Sequence, residues 1–309
     1  MPAILGFGCR LPERVVGNDE LAERLGVTPE WILSACGIEE RRYAAADESV
    51  VDLGERAARE LIERLGLAPS AVGAVLVGTG TPNRQFPGVS ASLAHRLGIS
   101  GAFALDVHLA SSGGLVAIAL AMDLAPRYGD VLVVAAERMS DVVLRHPDKD
   151  TTILFGDGAG ACVVTAGDGP LRLVDARVAT DGAFADDLCL VSGGPLVMNG
   201  RQVIMQAVRK LTRSVNELLA AHGRTPADVD LFVFHQANAN LLRQVAVQLR
   251  IPEERVFVNL RRYGNTSAAS LLVAAAEAEA QGRFVPGSRA VLAAFGAGFS
   301  YGAALVDVR

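Results

Sequence analysis

The chain has 309 residues, of which 50% are hydrophobic and 20% charged, and its formal net charge is −5. Such a chain buries a large core without disulfide or metal staples, which excludes a stapled mini-domain and a disordered chain. The mild acidity without a basic stripe excludes a nucleic-acid footprint, and no run reaches the ~18 uninterrupted apolar residues of a membrane span.

Met1-Pro2-Ala3-Ile4-Leu5 lacks the basic lead of a secretory signal, and Cys9, Cys36, Cys162 and Cys189 show no CxxC or Cys/His ligand spacing. These features predict a cytoplasmic protein with reduced, structural cysteines and no metal site. A helix-like stretch ends near Gly66, and Pro69-Ser70-Ala71 leads into an apolar strand at Ala74–Val77. A helix over Ser90–Leu97 follows. Asp106-Val107-His108-Leu109-Ala110-Ser111-Ser112-Gly113-Gly114 reads as a strand end, a tight turn and the start of a buried helix that continues as Leu115–Met122. Val131–Val134 is a buried strand. Phe155-Gly156-Asp157-Gly158-Ala159-Gly160 precedes another at Ala161–Val164, and the cluster Ala166-Gly167-Asp168-Gly169-Pro170 is a turn. A helix follows Met198-Asn199-Gly200-Arg201, and helix-like sequence ends again near Gly223. Pro226 leads into a strand ending at Phe234-His235-Gln236-Ala237-Asn238, with a helix over Asn240–Leu249. Tyr263-Gly264-Asn265-Thr266-Ser267-Ala268-Ala269-Ser270 precedes a helix of small apolar residues. Strands at Ala290–Ala294 and Ala303–Val306 flank Phe295-Gly296-Ala297-Gly298-Phe299. The two Phe-Gly strings lack the GxGxxG spacing of a dinucleotide site.

Two matches in the same order reveal a duplication. Residues 69–78 align with 226–235 at an offset of 157, and residues 129–136 with 287–294 at an offset of 158. The expected architecture is α/β, five-layered α/β/α/β/α, with an N-terminal half at 1–168 and a C-terminal half at 169–309. Buried apolar strands of this kind suit sheets covered on both faces.

Three polar interruptions suggest chemistry. Ser111 or Ser112 stands at a helix start, where unpaired N–H groups and the helix dipole favour an oxyanion. His235 ends an apolar strand and titrates near neutrality. Asn265 lies in the turn that the duplication equates with that of Ser111, so a pseudo-twofold axis brings the three toward one pocket. The same serine also suits an ordinary N-cap, and the same histidine a structural role. His108 stays in view, three residues before Ser111.

These stretches together resemble β-ketoacyl-acyl-carrier-protein synthase III, of the thiolase-like superfamily. The resemblance runs almost end to end. It includes Thr28-Pro29-Glu30-Trp31-Ile32, Gly37-Ile38-Glu39-Glu40-Arg41-Arg42, Met198-Asn199-Gly200-Arg201, His235-Gln236-Ala237-Asn238 and Gly264-Asn265-Thr266-Ser267. It implies a duplicated thiolase-like fold, a homodimer, and acyl-CoA or acyl-carrier-protein thioesters as substrates with no permanently bound cofactor. It places Ser111, His235 and Asn265 in the catalytic roles. The backbone at Ser111 and Ala297 becomes the oxyanion site, and Trp31 and Lys149 become contacts for CoA. By the resemblance, Phe86 stands where the family inserts a Phe into the neighbouring subunit's acyl pocket, or else it is a core Phe. Arg209, Lys210 and Arg213 offer a docking patch for an acidic carrier protein, or else a solvated helical face.

The departures matter as much. Ser111 occupies the family's nucleophilic cysteine position, Ala35 replaces an Arg, and Lys149 replaces another. A serine is far less acidic than a thiol and needs a positioned base. Three readings stay open: a Ser-dependent acyltransferase in fatty-acid or specialised acyl or polyketide metabolism, a decarboxylative condensing enzyme carrying a Cys-to-Ser change at 111, and a non-catalytic partner subunit of an active paralogue.

Overall fold

The computed structural model describes residues 1–309. In chain order the first half comprises β1 (Ala3–Arg10), β2 (Arg14–Gly17), α1 (Asn18–Leu25), α2 (Pro29–Cys36), β3 (Glu40–Tyr43), α3 (Val50–Leu65), β4 (Val72–Gly78), α4 (Val89–Arg96), β5 (Phe103–Val107), α5 (Gly113–Tyr128), β6 (Asp130–Arg138), α6 (Met139–Val143) and β7 (Asp157–Thr165). The second comprises β8 (Leu171–Thr180), β9 (Leu188–Leu190), β10 (Leu196–Met198), α7 (Gly200–Ala221), β11 (Leu231–Phe234), α8 (Ala239–Leu249), β12 (Val256–Phe257), α9 (Leu260–Tyr263), α10 (Ser270–Ala280), β13 (Arg289–Gly296) and β14 (Ser300–Val308).

The strand order is β12-β11-β13-β14-β8-β1-β7-β6-β4-β5. Its two ends mirror each other. β4 runs parallel to β5 and β6, as β11 does to β12 and β13. β6–β7 and β7–β1 are antiparallel, as are β13–β14 and β14–β8. The halves join where Ala3 and Ile4 of β1 pair with Arg172 and Leu171 of β8.

Helix composition assigns the layers. In α3, a Ser49–Asp52 capping box starts the helix and one stripe (Leu53, Ala57, Leu61) is buried, so it covers the outer face of β1, β6 and β7. α7 has the same one-sided pattern and covers β14 and β13. α5 and α10 are apolar almost all round, which suits burial on both sides. α5 packs against strands of both halves, as does α10. The layers therefore run α3, the β5-to-β1 half of the sheet, α5 with α10, the β8-to-β12 half, α7.

The duplication needs one adjustment of register. Tight turns at Ala110–Ser112 and Ser267–Ala269 precede helices starting at Gly113 and Ser270, an offset of 157. The turns correspond as the sequence suggested. However, Asn265 is equivalent to His108 rather than to Ser111, and Ser267 is equivalent to Ala110.

Candidate active site

Asp106, near the end of β5, accepts hydrogen bonds from the N–H groups of Val89 and Ser90, both at 2.7 Å, and so anchors the start of α4. The chain then turns sharply. Ala110 has a φ of +44° and Ser267, its equivalent, +46°. Non-glycine residues hold this left-handed region only when their surroundings enforce it. The enforcement is the close contact of the two turns: a Cβ added to Gly114 would lie 2.7 Å from the carbonyl oxygen of Ala268.

Of the two serines, Ser112 is the N-cap residue of α5, yet its side chain caps nothing. Its Oγ lies 3.0 Å from Leu109 O and 2.9 Å from Ser300 Oγ, a structural role. Ser111 is buried, and its one hydrogen-bond partner is Ser267 Oγ at 3.4 Å. Ser267 Oγ in turn donates to Glu137 Oε1 at 2.9 Å.

His235 follows the end of β11 and is buried edge-on to Phe295, with ring centres 5.2 Å apart. Its Nδ1 pairs with Ser270 Oγ, which also accepts the Gln236 N–H at 3.1 Å. The Ser270 hydroxyl thereby fixes the orientation of the imidazole. Burial depresses the His235 pKa to about 3. Burial therefore keeps the ring neutral near pH 7. Asn265 is held by its backbone, its N–H on Leu154 O at 2.8 Å and its carbonyl accepting from Gly156 N at 3.0 Å. Its Oδ1 accepts the Ser267 N–H at 2.8 Å, which commits the oxygen and leaves the amide NH2 for another partner.

Ser111 stands between two cavities. The smaller, about 70 Å³, is lined by Ser111, His235, Asn265, Phe155 and Phe295 among others. The larger, about 350 Å³, is mainly apolar and lined by Ser111, Leu109, Met139, Cys189, Leu196 and Ala297 among others. The structure thus brings Ser111 together with His235 and Asn265 on one side and with Ala297 on the other. His108 also lines the larger cavity. Trp31, on α2 behind the N-cap Thr28, and Lys149 are exposed and line neither cavity. Phe86 is 84% exposed and also lines neither cavity. Arg209 and Arg213 are exposed on α7, along a surface groove that also includes Arg201 and Gln244. Lys210 corrects the docking patch. It is buried, bonded to Asp181 and set against the rings of Phe184, Phe299 and Tyr301, so it cannot meet a partner. The helical period turns position 210 inward between two outward arginines.

Four residues at the site escaped the sequence reading. Ser267 and Ser270 sit inside the Asn265 string, where only the fold distinguishes their tasks. Cys189 is distant in sequence but lines the same cavity as Ser111. Glu137 did carry a signal, a carboxylate directly after the apolar run 131–136. It is fully buried. Its partners are the hydroxyls of Thr79, Thr81 and Ser267 and the N–H groups of Gly80 and Ala268. All five are donors, which fits an ionised carboxylate, while burial pushes its pKa above the usual range. No group of three or more His, Cys, Asp or Glu residues is placed to hold a metal ion, and no helix is long and apolar enough to cross a membrane.

The sequence profile of 3-oxoacyl-[acyl-carrier-protein (ACP)] synthase III matches residues 105–182, and that of its C-terminal part matches residues 219–308. The chain is 39% identical to the β-ketoacyl-[acyl-carrier-protein] synthase III of Oleidesulfovibrio alaskensis over 98% of both chains. It is 40% identical to that of Nitratidesulfovibrio vulgaris, over 99% of this chain and 98% of the relative. The crystal structure of 3-oxoacyl-[acyl-carrier-protein] synthase III from Aquifex aeolicus superposes with a TM-score of 0.95 at 33% identity, covering 99% of this chain and 100% of the other. The priming β-ketosynthase of the R1128 polyketide pathway superposes with a TM-score of 0.92 at 34% identity, covering 100% and 97%.

Proposed function

The chain belongs to the 3-oxoacyl-[acyl-carrier-protein] synthase III family, and from that premise we propose that it takes an acyl group onto Ser111 from a CoA or carrier-protein thioester and passes it to an acceptor. The observation that carries this is the position of Ser111 between an apolar cavity and the pocket holding His235 and Asn265. Ser111 Oγ attacks the thioester carbonyl, the C–S bond breaks, and the thiol leaves. N–H groups at the Ser111 turn and at Ala297 suit the oxyanion. The larger cavity suits the acyl chain. With its ring proton on Nε2, His235 would join the NH2 of Asn265 in supplying two donors for the carbonyl of an incoming acceptor thioester.

Those two donors also favour the second reading, a decarboxylative condensation for which position 111 would be Cys. A partner subunit that only binds a carrier protein would have no use for them.

The exposed arginines Arg209 and Arg213, the second paired with Glu217 at 2.7 Å, support docking of an acidic carrier protein on α7. Trp31 and Lys149 remain the proposed contacts for CoA. The half-exposed Phe103 and Leu105 on edge strand β5, with Phe86, support a homodimer across that edge. Four free cysteines suit a reducing, cytoplasmic setting.

The test is intact-mass measurement after incubation with acyl-CoA and acyl-carrier-protein donors. An adduct mapping to Ser111, and surviving Cys189→Ala, is expected. Absence of an adduct with every donor sinks the acyl-transfer reading. Ser111→Cys that condenses with a malonyl-carrier protein while the serine form does not would favour the second reading.

A further inference from the structure

His235 makes no hydrogen bond to Ser111 and its Nδ1 is occupied by Ser270, so the histidine is not placed to take the serine proton. The one oxygen in reach of Ser111 Oγ is Ser267 Oγ, at 3.4 Å. Ser267 has a single hydroxyl hydrogen, and that hydrogen goes to Glu137 Oε1 at 2.9 Å. The Ser111 O–H is therefore the donor in the first link. The chain of donors has one direction, from Ser111 through Ser267 to a carboxylate sealed from solvent. The first link is long, as such links are before substrate is bound.

Resting on the reading of Ser111 as the acyl acceptor, we propose that Ser267 and Glu137 form a proton relay that activates the Ser111 hydroxyl. As Ser111 Oγ bonds to the thioester carbon, its proton passes to Ser267 Oγ while the Ser267 proton passes to Glu137. The C–S bond breaks with its electron pair on sulfur, and the expelled thiolate takes a proton from solvent. Later the acceptor bonds to the acyl carbon, an O–H or N–H acceptor giving its proton to solvent; the ester C–O bond breaks with its electron pair on Ser111 Oγ, and the proton held by Glu137 returns to that oxygen along the same two hydroxyls. A charged side chain is absent from the bonded partners of Glu137, so the carboxylate is held by hydroxyl and peptide donors alone. Ser267 has a left-handed φ, and its hydroxyl lies between the two groups.

Ser267 and Glu137 act through Ser111 and are positioning residues. The decisive comparison changes the nucleophile. A thiol ionises without a relay, so the relay should matter less when position 111 is Cys. Acylation by an acyl-CoA is followed by intact mass in single turnover for Ser267→Ala and Ser267→Gly, the second of which suits the positive φ. Each is made with Ser111 and again with Ser111→Cys, and thermal melting verifies folding. With Ser111, the acylation rate constant should fall about 10²-fold or more, with little change in the half-saturating donor concentration. With Ser111→Cys, the fall should be several-fold at most. Glu137→Gln should follow the same split. Equal losses in both backgrounds, or no loss with Ser111, overturn the relay while leaving acyl transfer standing. No adduct on Ser111 in the unaltered protein overturns the acyl-acceptor reading and the relay with it.

Discussion

Gly296→Ala probes whether the position of Ser111 is fixed by packing. Gly296 ends β13 with extended φ and ψ, so alanine meets no backbone obstacle there. The obstacle is spatial. Its Cβ would lie 2.5 Å from Ser112 N, 2.8 Å from Leu109 O and 2.9 Å from Ser112 Oγ. Carbon contacts relax to about 3.5 Å, so the Ser111 turn must shift by about 1 Å or β13 must yield. Overpacking of this kind costs about 1–3 kcal/mol, which lowers Tm by about 1.5 °C per kcal/mol in a chain of this length. A misplacement of about 1 Å at a reacting group costs about 10²-fold in rate. Thermal melting and single-turnover acylation by intact mass measure the two effects. Gly182→Ala is the control, since its Cβ would meet nothing within 4 Å. A Gly296→Ala protein that melts and acylates like the unaltered chain refutes the rigid-turn argument. Lowered melting with an unaltered acylation rate would show instead that the placement of Ser111 does not govern the chemistry.

The depressed pKa of His235 sets a pH dependence of stability. A histidine at about 3 when folded and ~6.5 when unfolded leaves the unfolded chain binding more protons between those values. Its contribution is complete above pH ~6.5 and lost toward pH 3, at up to about 1.4 kcal/mol per pH unit. Asp157, raised to about 6 by burial, acts oppositely: its contribution is present below pH ~3.9 and lost as pH rises through 6. Urea unfolding of His235→Gln against the unaltered chain should therefore show a difference that moves in favour of the variant from pH 7 to pH 4. A difference independent of pH contradicts the assigned state of His235. On α7, Lys210→Met should lower Tm without changing the KM for an acyl-carrier-protein donor, whereas Arg209→Glu with Arg213→Glu should raise that KM several-fold. The reverse pattern would return Lys210 to the docking surface.

Much of the fold was legible because duplicated strands and buried helices leave strong patterns. The offsets near 157 and the small-residue runs after Ser111 and Ser267 located the central layer. The layers follow from which helices are apolar all round. The site was partly legible, since Ser111, His235 and Asn265 each interrupt an apolar segment. What stayed hidden depends on pairing across long separations. Whether Ser111 or Ser112 faces the cavity is decided by Ser300, 188 residues beyond Ser112. Glu137 and Ser267 meet across 130 residues. Lys210 looked available because a charged residue on a surface helix usually is, and only the rings around it show otherwise.

The paired left-handed residues Ala110 and Ser267 have a consequence for ancestry. Each half contributes one such bend, and each bend is braced by the other half. A precursor of half this length could brace its bend only by associating with another copy of itself. The central joint of this chain therefore stands where the subunit boundary of such a pair would lie. Two bends within one chain need not stay identical. One carries Ser111 and the other Asn265 and Ser267, a difference denied to a symmetric pair.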